Sequence, residues 1–154
     1  MPSSTAWILD FAGGFQAAVG ELELVYLIQF PALIDIPQTP FYCRHALIWE
    51  EDILPVMDLG ALLAGHIIHN KLPLAGIFAY QQQAETRLHY GAIPLSAIPK
   101  RRQVRDEQAC ELPRQPSVWQ AVAISCFSDG DRIIPILNLP YIFSNTSLRD
   151  RARI

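Results

Sequence analysis

Apolar and polar positions alternate along this chain in short runs, a pattern typical of proteins built mainly from β-strands. Residues 7–11 (Trp-Ile-Leu-Asp-Phe) predict a first strand, and the glycines within residues 12–14 predict a hairpin turn after it. In residues 15–19 every second position is apolar, which predicts a return strand with one buried face. Residues 74–80 and 88–93 predict a second hairpin of the same kind. Short strands separated by frequent turns favour a β-barrel or a β-sandwich.

One pattern of apolar residues around a proline occurs twice. Residues 53–59 read Ile-Leu-Pro-Val-Met-Asp-Leu, and residues 133–139 read Ile-Ile-Pro-Ile-Leu-Asn-Leu, so the two copies lie 80 positions apart. Each copy follows an acidic turn, and each turn follows an apolar strand-like run, at 46–49 in the first copy and at 121–127 in the second. The repeat predicts a strand–turn–strand–helix unit that is built twice.

The repeat also suggests how the chain is organised. We expect a single domain over residues 1–154 with two similar halves, at about 7–65 and 74–143, and a tail at 144–154. In each half an Asp or an Asn precedes the short helix that should follow the second strand. Asp58 and Asn138 are therefore predicted helix N-caps, because their side chains can accept hydrogen bonds from the unpaired amides of a first helical turn.

Composition excludes several classes of protein. Hydrophobic residues make up 51% of the 154 positions, which excludes a disordered chain. No apolar run approaches the roughly 18 residues of a membrane-spanning helix, and the N-terminus lacks the basic region of a secretory signal. Cys43, Cys110 and Cys126 are odd in number and far apart, which predicts neither a disulfide framework nor a structural zinc site. We expect a cytoplasmic protein without membrane insertion.

Charge is distributed unevenly, although the net charge is only −3. Residues 1–77 contain eight acidic and two basic side chains, whereas residues 78–154 contain seven acidic and ten basic ones. This asymmetry favours oriented association with a partner. The strongest basic run, Lys100 to Arg105, could contact the phosphates of a nucleic acid. The acidic residues that follow the run, and its lack of aromatic residues, favour a solvated loop or a protein-docking surface instead.

Candidate chemistry is sparse. His66 and His69 have a spacing that metal ligands can use, with His45 and His89 elsewhere, but no third ligand has a recognisable spacing, so no metal site is predicted. The sequence contains no Gly-x-Ser-x-Gly motif and no glycine-rich phosphate loop. We therefore expect a binding protein without a cofactor and not an enzyme.

Taken in order, the motifs resemble the CheW-like domain family of bacterial chemosensory adaptors and kinases. The resemblance covers about residues 7–143, and the matching segments are residues 7–19, 40–43, 53–59, 90–93, 112–113 and 133–139. It implies a mostly-β fold of two SH3-like, five-stranded β-barrel halves packed together around a shared core, with short helices. It also implies a non-enzymatic adaptor that couples chemoreceptors to a histidine kinase, in chemotaxis or in type IV pilus motility.

The partners implied by the resemblance are the regulatory domain of a histidine kinase, the cytoplasmic tip of a chemoreceptor, or another CheW-like protein. One segment departs from the family pattern. Where the family has Asn-Leu-Arg-Gly, residues 48–51 of this chain are Ile-Trp-Glu-Glu, so that an arginine position carries the carboxylate of Glu50. Gly60 likewise stands where the family often has an arginine. The fold is therefore expected to follow the family more closely than the choice of partner does.

The candidate partner-binding residues are Ile48, Trp49, Glu50, Glu51 and Asp52. The alternative interpretation of the acidic residues is a solvated hairpin turn. Alternation along a strand places either Ile48 or Trp49 outward, and an exposed tryptophan would be a candidate interface anchor. Two other functions stay open. One is a divergent scaffold of the same fold that binds a different partner, and the other is a nucleic-acid-binding module that uses the basic run from Lys100 to Arg105.

Overall fold

The computed structural model describes residues 3–68, 74–82 and 86–144. The strands in these residues are β1 (Ser3–Phe11), β2 (Phe15–Gly20), β3 (Leu24–Gln29), β4 (Ile34–Asp35), β5 (His45–Trp49), β6 (Asp52–Val56), β7 (Leu74–Gln81), β8 (Leu88–Leu95), β9 (Lys100–Arg105), β10 (Ala123–Asp129) and β11 (Arg132–Leu137). The same residues contain three short helices, α1 (Leu59–Ala64), α2 (Trp119–Val122) and α3 (Leu139–Phe143), and a 3-10 turn at Asp106–Gln108. The predicted mostly-β fold class is confirmed.

The strands form two curled sheets. The first sheet has the order β10-β11-β2-β1-β9, and the second has the order β3-β7-β8-β6-β5-β4. The second sheet thus has one strand more than the five implied by the resemblance, because the two-residue strand β4 pairs with the edge of β5. The first sheet takes strands from both ends of the chain, so the two sheets cross the expected division at 7–65 and 74–143. That division stays a prediction.

The two copies of the repeat have the same strand pairing. β6 pairs in parallel with β8 through Val56 and Ala92, and β11 pairs in parallel with β2 through Ile136 and Ala18. In both copies the parallel pairing occurs at the residue directly after the proline, which itself has no N–H to donate to a neighbouring strand. Each copy therefore attaches one antiparallel hairpin to another hairpin.

The backbone hydrogen bonds before the helices also repeat. The amide of Asp58 donates to the carbonyl of Tyr42 at 2.7 Å, and the amide of Asn138 donates to the carbonyl of Val122 at 2.8 Å. Donors and acceptors are both separated by the offset of 80 that relates the two copies. The sequence repeat is therefore a structural repeat down to individual peptide groups.

The two sheets pack around a shared core. The largest buried cluster contains residues from both sheets and from the helices, such as Leu9 of β1, Phe78 of β7, Leu59 of α1, Trp119 of α2 and Leu139 of α3. Each sheet also encloses a smaller cluster of its own. Burial of this apolar surface is the main favourable contribution to folding. The same packing holds the hairpins of the two sheets in position.

Two local predictions are wrong. The one-sided burial predicted for residues 15–19 does not occur, because Ala17 and Val19 face the shared core while Ala18 faces the interior of the first sheet. The strand predicted over residues 121–127 begins only at Ala123. The two residues before it form the end of α2, because Val122 is fully buried in the shared core and a helical turn places it there.

Candidate partner-binding site

The predicted partner-binding segment, residues 48–52, forms the end of the β5–β6 hairpin. Trp49 faces Asp52 across the ladder, so Glu50 and Glu51 are the two central residues of the turn. Their φ angles are 51° and 67°. Two positive φ angles are characteristic of a type I′ turn, which matches the twist of the strands but favours Asn and Gly. The turn therefore holds two glutamates in a backbone conformation that such residues rarely adopt.

Alternation along the hairpin separates a buried pair from an exposed pair. Leu47 and Leu54 face each other and are buried inside the second sheet. Ile48 and Ile53 form the next pair, and they are 62% and 72% exposed. Ile48, and not Trp49, is therefore the residue that points outward. Most of the apolar surface of these two isoleucines is in contact with solvent in the isolated chain. A partner could bury this surface, which would favour binding.

Trp49 is only partly exposed, and it contributes to the fold. Its ring lies between those of Tyr90 of β8 and Tyr26 of β3, with centroid distances of 5.2 Å and 6.4 Å. The indole also packs against the buried cluster inside the second sheet. β3 and β5 are not neighbours in the sheet order. The contact between Tyr26 and Trp49 therefore joins two distant strands of the curled sheet. Tyr26 remains 55% exposed beside the hairpin.

The exposed side chains around this hairpin form one surface, which we call the hairpin patch. It combines apolar and acidic groups and consists of Ile48, Glu50, Glu51, Asp52 and Ile53. A partner that fits the patch needs apolar side chains for its centre and basic side chains for its rim. Sequence reasoning missed Ile53. A two-residue turn at 50–51 places Ile53 opposite Ile48, so the turn was a usable signal for it.

The equivalent hairpin of the second repeat copy, β10–β11, has a different charge environment. The carboxylate of Asp129 lies 3.7 Å from the guanidinium of Arg102. Arg132 donates a hydrogen bond to the side-chain oxygen of Gln16 at 2.7 Å. The positive φ in this turn, 63°, belongs to Gly130. The two repeat copies therefore share a backbone arrangement but present different surfaces.

The basic run from Lys100 to Arg105 forms β9, which lies at the edge of the first sheet. Arg101 forms an ion pair with Glu21, and its guanidinium lies 5.6 Å from the centre of the Trp7 ring. Arg102 forms the ion pair with the β10–β11 turn described above. These carboxylates offset part of the positive charge that a nucleic acid would require. The strand is therefore a basic edge with acidic neighbours.

The predicted cap residues lie at the helix starts and outside the hairpin patch. Oδ1 of Asp58 accepts a hydrogen bond from the amide of Ala61 at 3.1 Å, and Oδ1 of Asn138 accepts one from the amide of Tyr141 at 3.2 Å. Burial raises the pKa of Asp58 above its ordinary value, against the opposing effects of that hydrogen bond and of two nearby basic side chains. The two caps perform the same structural task with different chemistry.

Two further possibilities are metal binding by the histidines and a helix that crosses a membrane. His66 is exposed, and its ring lies against the carbonyl of Ile67, whereas His69 lies outside the described residues. Within residues 3–68, 74–82 and 86–144, no three or more His, Cys, Asp or Glu side chains come together to hold a metal ion. In the same residues no helix has the length and apolar character needed to cross a bilayer.

A groove of about 660 Å³ lies apart from the hairpin patch. Its walls come from the turn at residues 12–14, from Ser96 and Ala97 after β8, from the segment 113–119, and from the start of β11. The groove therefore has residues that follow strands of both sheets. It shares no lining residue with the hairpin patch, so the chain offers two separate surfaces.

Comparison with known proteins identifies the fold. No protein-family model matches the chain, and no curated protein matches it either. Among solved structures, the chain is similar to the scaffolding protein TtCheW from Thermoanaerobacter tengcongensis, with a TM-score of 0.72 and 14% sequence identity. The match covers 93% of this chain and 89% of that chain. At this level of identity the likeness shows the fold, which is CheW-like.

Proposed function

We propose that this protein is a non-enzymatic chemosensory adaptor that couples chemoreceptors to a histidine kinase. The observation that carries the proposal is the likeness of its fold, over nearly its whole length, to the scaffolding protein TtCheW. An adaptor must hold two partners at once. The hairpin patch and the groove between the sheets supply two surfaces that share no residue, which supports this role. Such an adaptor would work in the cytoplasm, where receptor tips and their kinases meet.

The hairpin patch is the proposed contact for one of these partners. Ile48 and Ile53 present adjoining apolar side chains on the outer face of the hairpin, and three carboxylates surround the turn. An amphipathic helix that places apolar residues on this pair and lysines or arginines beside the turn has the matching chemistry. The cytoplasmic tip of a chemoreceptor is the candidate for this helix, and the regulatory domain of the kinase or another CheW-like protein would use the groove.

A specific observation favours a second candidate, a divergent scaffold with a different partner. Glu50 occupies a position at which the resemblance implies an arginine, and it is exposed at the turn. A reversed charge at a close contact costs several kcal/mol, so a typical partner would be rejected. The substitution Glu50→Arg separates the candidates. Gain of binding to a typical receptor tip or kinase domain supports the divergent scaffold, and unchanged binding means that this turn is not the contact.

Co-purification tests the adaptor function itself. The full-length protein is mixed with the regulatory domain of the histidine kinase and the receptor tip from the same genome, and complexes are separated by size. We expect a complex with each component and a larger complex with both. A folded protein that joins neither component would refute the adaptor function.

A further inference from the structure

Two thiols that are far apart in the sequence meet in the structure. Sγ of Cys110 lies 3.1 Å from Sγ of Cys126, and the amide of Cys110 donates a hydrogen bond to the carbonyl of Cys126 at 3.2 Å. The Cys126 thiol also donates to the carbonyl of Cys110 at 2.8 Å. Cys43 belongs to the shared core, a cluster that contains neither of the other two thiols. Cys110 and Cys126 therefore form a close pair of thiols, and Cys43 lies in a different cluster of the protein.

The pair lies on the seam of the first sheet. β9 and β10 are the two edge strands of this sheet, and the residues that follow β9 pair with β10. The side-chain amide of Gln108 donates to the carbonyl of Ser128 at 2.9 Å, and Ala109 forms an isolated antiparallel bridge with Phe127. The two cysteines are the next opposed residues along this junction. The seam thus joins the edges of the sheet through three successive residue pairs.

We propose that Cys110 and Cys126 are a site of reversible disulfide formation that locks this seam, with a low-molecular-weight disulfide such as oxidised glutathione as the oxidant. The geometry favours the bond. Opposed residues of an antiparallel pair have Cα atoms about 4.5–5.5 Å apart, which lies within the roughly 4.4–6.8 Å that a disulfide spans. The two sulfurs need to approach by only about 1 Å to reach bonding distance.

Accessibility sets the order of the two steps. Cys110 is partly exposed, whereas Cys126 is buried. The Cys110 thiolate attacks one sulfur of the oxidant, breaks its S–S bond, releases one glutathione thiolate and leaves a mixed disulfide. The Cys126 thiolate then attacks the sulfur of Cys110 and releases the second glutathione thiolate. The protein loses two protons and two electrons, and the oxidant is reduced to two thiols.

The second step should be slow and should depend on pH. In the reduced protein, burial and the neighbouring Cys110 raise the pKa of Cys126 to about 12. The burial persists in the mixed disulfide, so most of this thiol stays protonated at neutral pH. The rate of closure is therefore expected to rise with pH as more of the Cys126 thiol ionises. The bond would close a loop from residue 110 to residue 126, which restricts the unfolded chain. We expect the Tm to rise by about 6–12 °C.

Peptide mapping tests the proposal directly, because trypsin separates the three cysteines. Cys43, Cys110 and Cys126 lie in the tryptic peptides 1–44, 106–114 and 115–132. The full-length protein is incubated with oxidised glutathione at pH 8, free thiols are alkylated, and the digest is analysed by mass spectrometry without reduction. We expect peptides 106–114 and 115–132 to be joined within monomeric protein, peptide 1–44 to be alkylated, and dithiothreitol to reverse the cross-link.

Matched variants complete the test. Cys43→Ser should form the cross-link and show the Tm rise of the wild type, whereas Cys110→Ser, at a partly exposed position, should show neither. A persistent mixed disulfide at Cys110 without closure, a cross-link only between molecules, or cross-linking through Cys43 would overturn the proposal. If Cys110→Ser does not fold, the peptide map of the wild type and the Cys43→Ser control still decide the result.

Discussion

Gly60 of α1 lies directly against the backbone of Ala12 in the β1–β2 turn. A Cβ at position 60 would be 2.6 Å from the carbonyl oxygen of Ala12 and 3.1 Å from its nitrogen. This approach seats the helix of the first repeat copy on a hairpin of the other sheet. A side chain at position 60, including the arginine that the resemblance places there, would require the two backbones to separate.

Gly60→Ala is therefore expected to destabilise the protein, although alanine is the better helix former. Helix propensity alone would favour alanine by about 1 kcal/mol, whereas overpacking against a backbone carbonyl costs about 1–3 kcal/mol. Urea denaturation should show a lower free energy of unfolding. Ala64→Gly, the reverse exchange at the partly buried last residue of the same helix, serves as the comparison for helix propensity. A Gly60→Ala variant as stable as the wild type would mean that α1 does not approach the turn this closely.

Asp58 should make stability depend on pH. Its pKa is raised by burial from an ordinary value near 3.8, so the folded state holds the proton more tightly than the unfolded state does. The contribution of Asp58 to stability is therefore fully present below that ordinary value and is lost as the pH rises through the folded pKa. Asp58→Asn keeps a cap, as Asn138 does in the second copy, and removes the ionisation.

We expect Asp58→Asn to exceed the wild type in stability at neutral pH and to approach it as the pH falls toward 4. Denaturation of both proteins across this range measures the difference. Asp58→Ala, which removes the cap, should cost about 1 kcal/mol. A difference between Asp58→Asn and the wild type that does not change with pH would contradict the pKa shift.

The β5–β6 turn should become more stable when its residues suit its backbone. Replacing Glu50 and Glu51 by Asn and Gly, the favoured type I′ pair, keeps the two positive φ angles but places there residues that tolerate them. We expect the free energy of unfolding to rise by about 1–2 kcal/mol. The double variant Glu50→Gln and Glu51→Gln removes the charges but keeps the strain, and should change stability by less than about 0.5 kcal/mol. Equal effects of the two double variants would mean that charge, and not backbone strain, limits the turn.

The hairpin should tolerate substitution on its outer face only. Ile48→Ser is expected to change stability by less than about 0.5 kcal/mol, because the side chain is already exposed. Leu54→Ala should cost about 2–5 kcal/mol, and Trp49→Ala about 2 kcal/mol or more, because both side chains pack inside the second sheet. Thermal or urea denaturation of the three variants provides the measurement. A large loss in Ile48→Ser would show that this residue belongs to the core.

The parts of the fold that depend on local chemistry could be predicted from the sequence. The repeat around Pro55 and Pro135 identified the two hairpin–helix units, and the Asp and Asn three residues after each proline marked the helix starts. Both signals depend on short-range preferences for turns, caps and alternation. The predicted hairpin–helix units and caps occur in the structure because tertiary packing favours the same local conformations.

The remaining features depend on contacts between distant segments. No local pattern shows that Tyr26 meets Trp49, because the contact depends on the curl of the whole second sheet. The meeting of Cys110 and Cys126 depends in the same way on how the edges of the first sheet join. The two-sided burial of β2 also requires knowledge of both layers that cover it. A single sequence carries the local preferences but not these pairings.

Titration of the receptor tip into three proteins tests whether this chain acts as an adaptor that binds through the hairpin patch. These are the wild type, the double variant Ile48→Ser and Ile53→Ser, and Ile124→Ser, which removes an isoleucine of nearly equal exposure, 63%, from the other hairpin. We expect binding by the wild type and Ile124→Ser, and affinity about 10- to 100-fold weaker in the double variant. Folded wild type without binding, or equal affinity of all three proteins, would contradict this prediction.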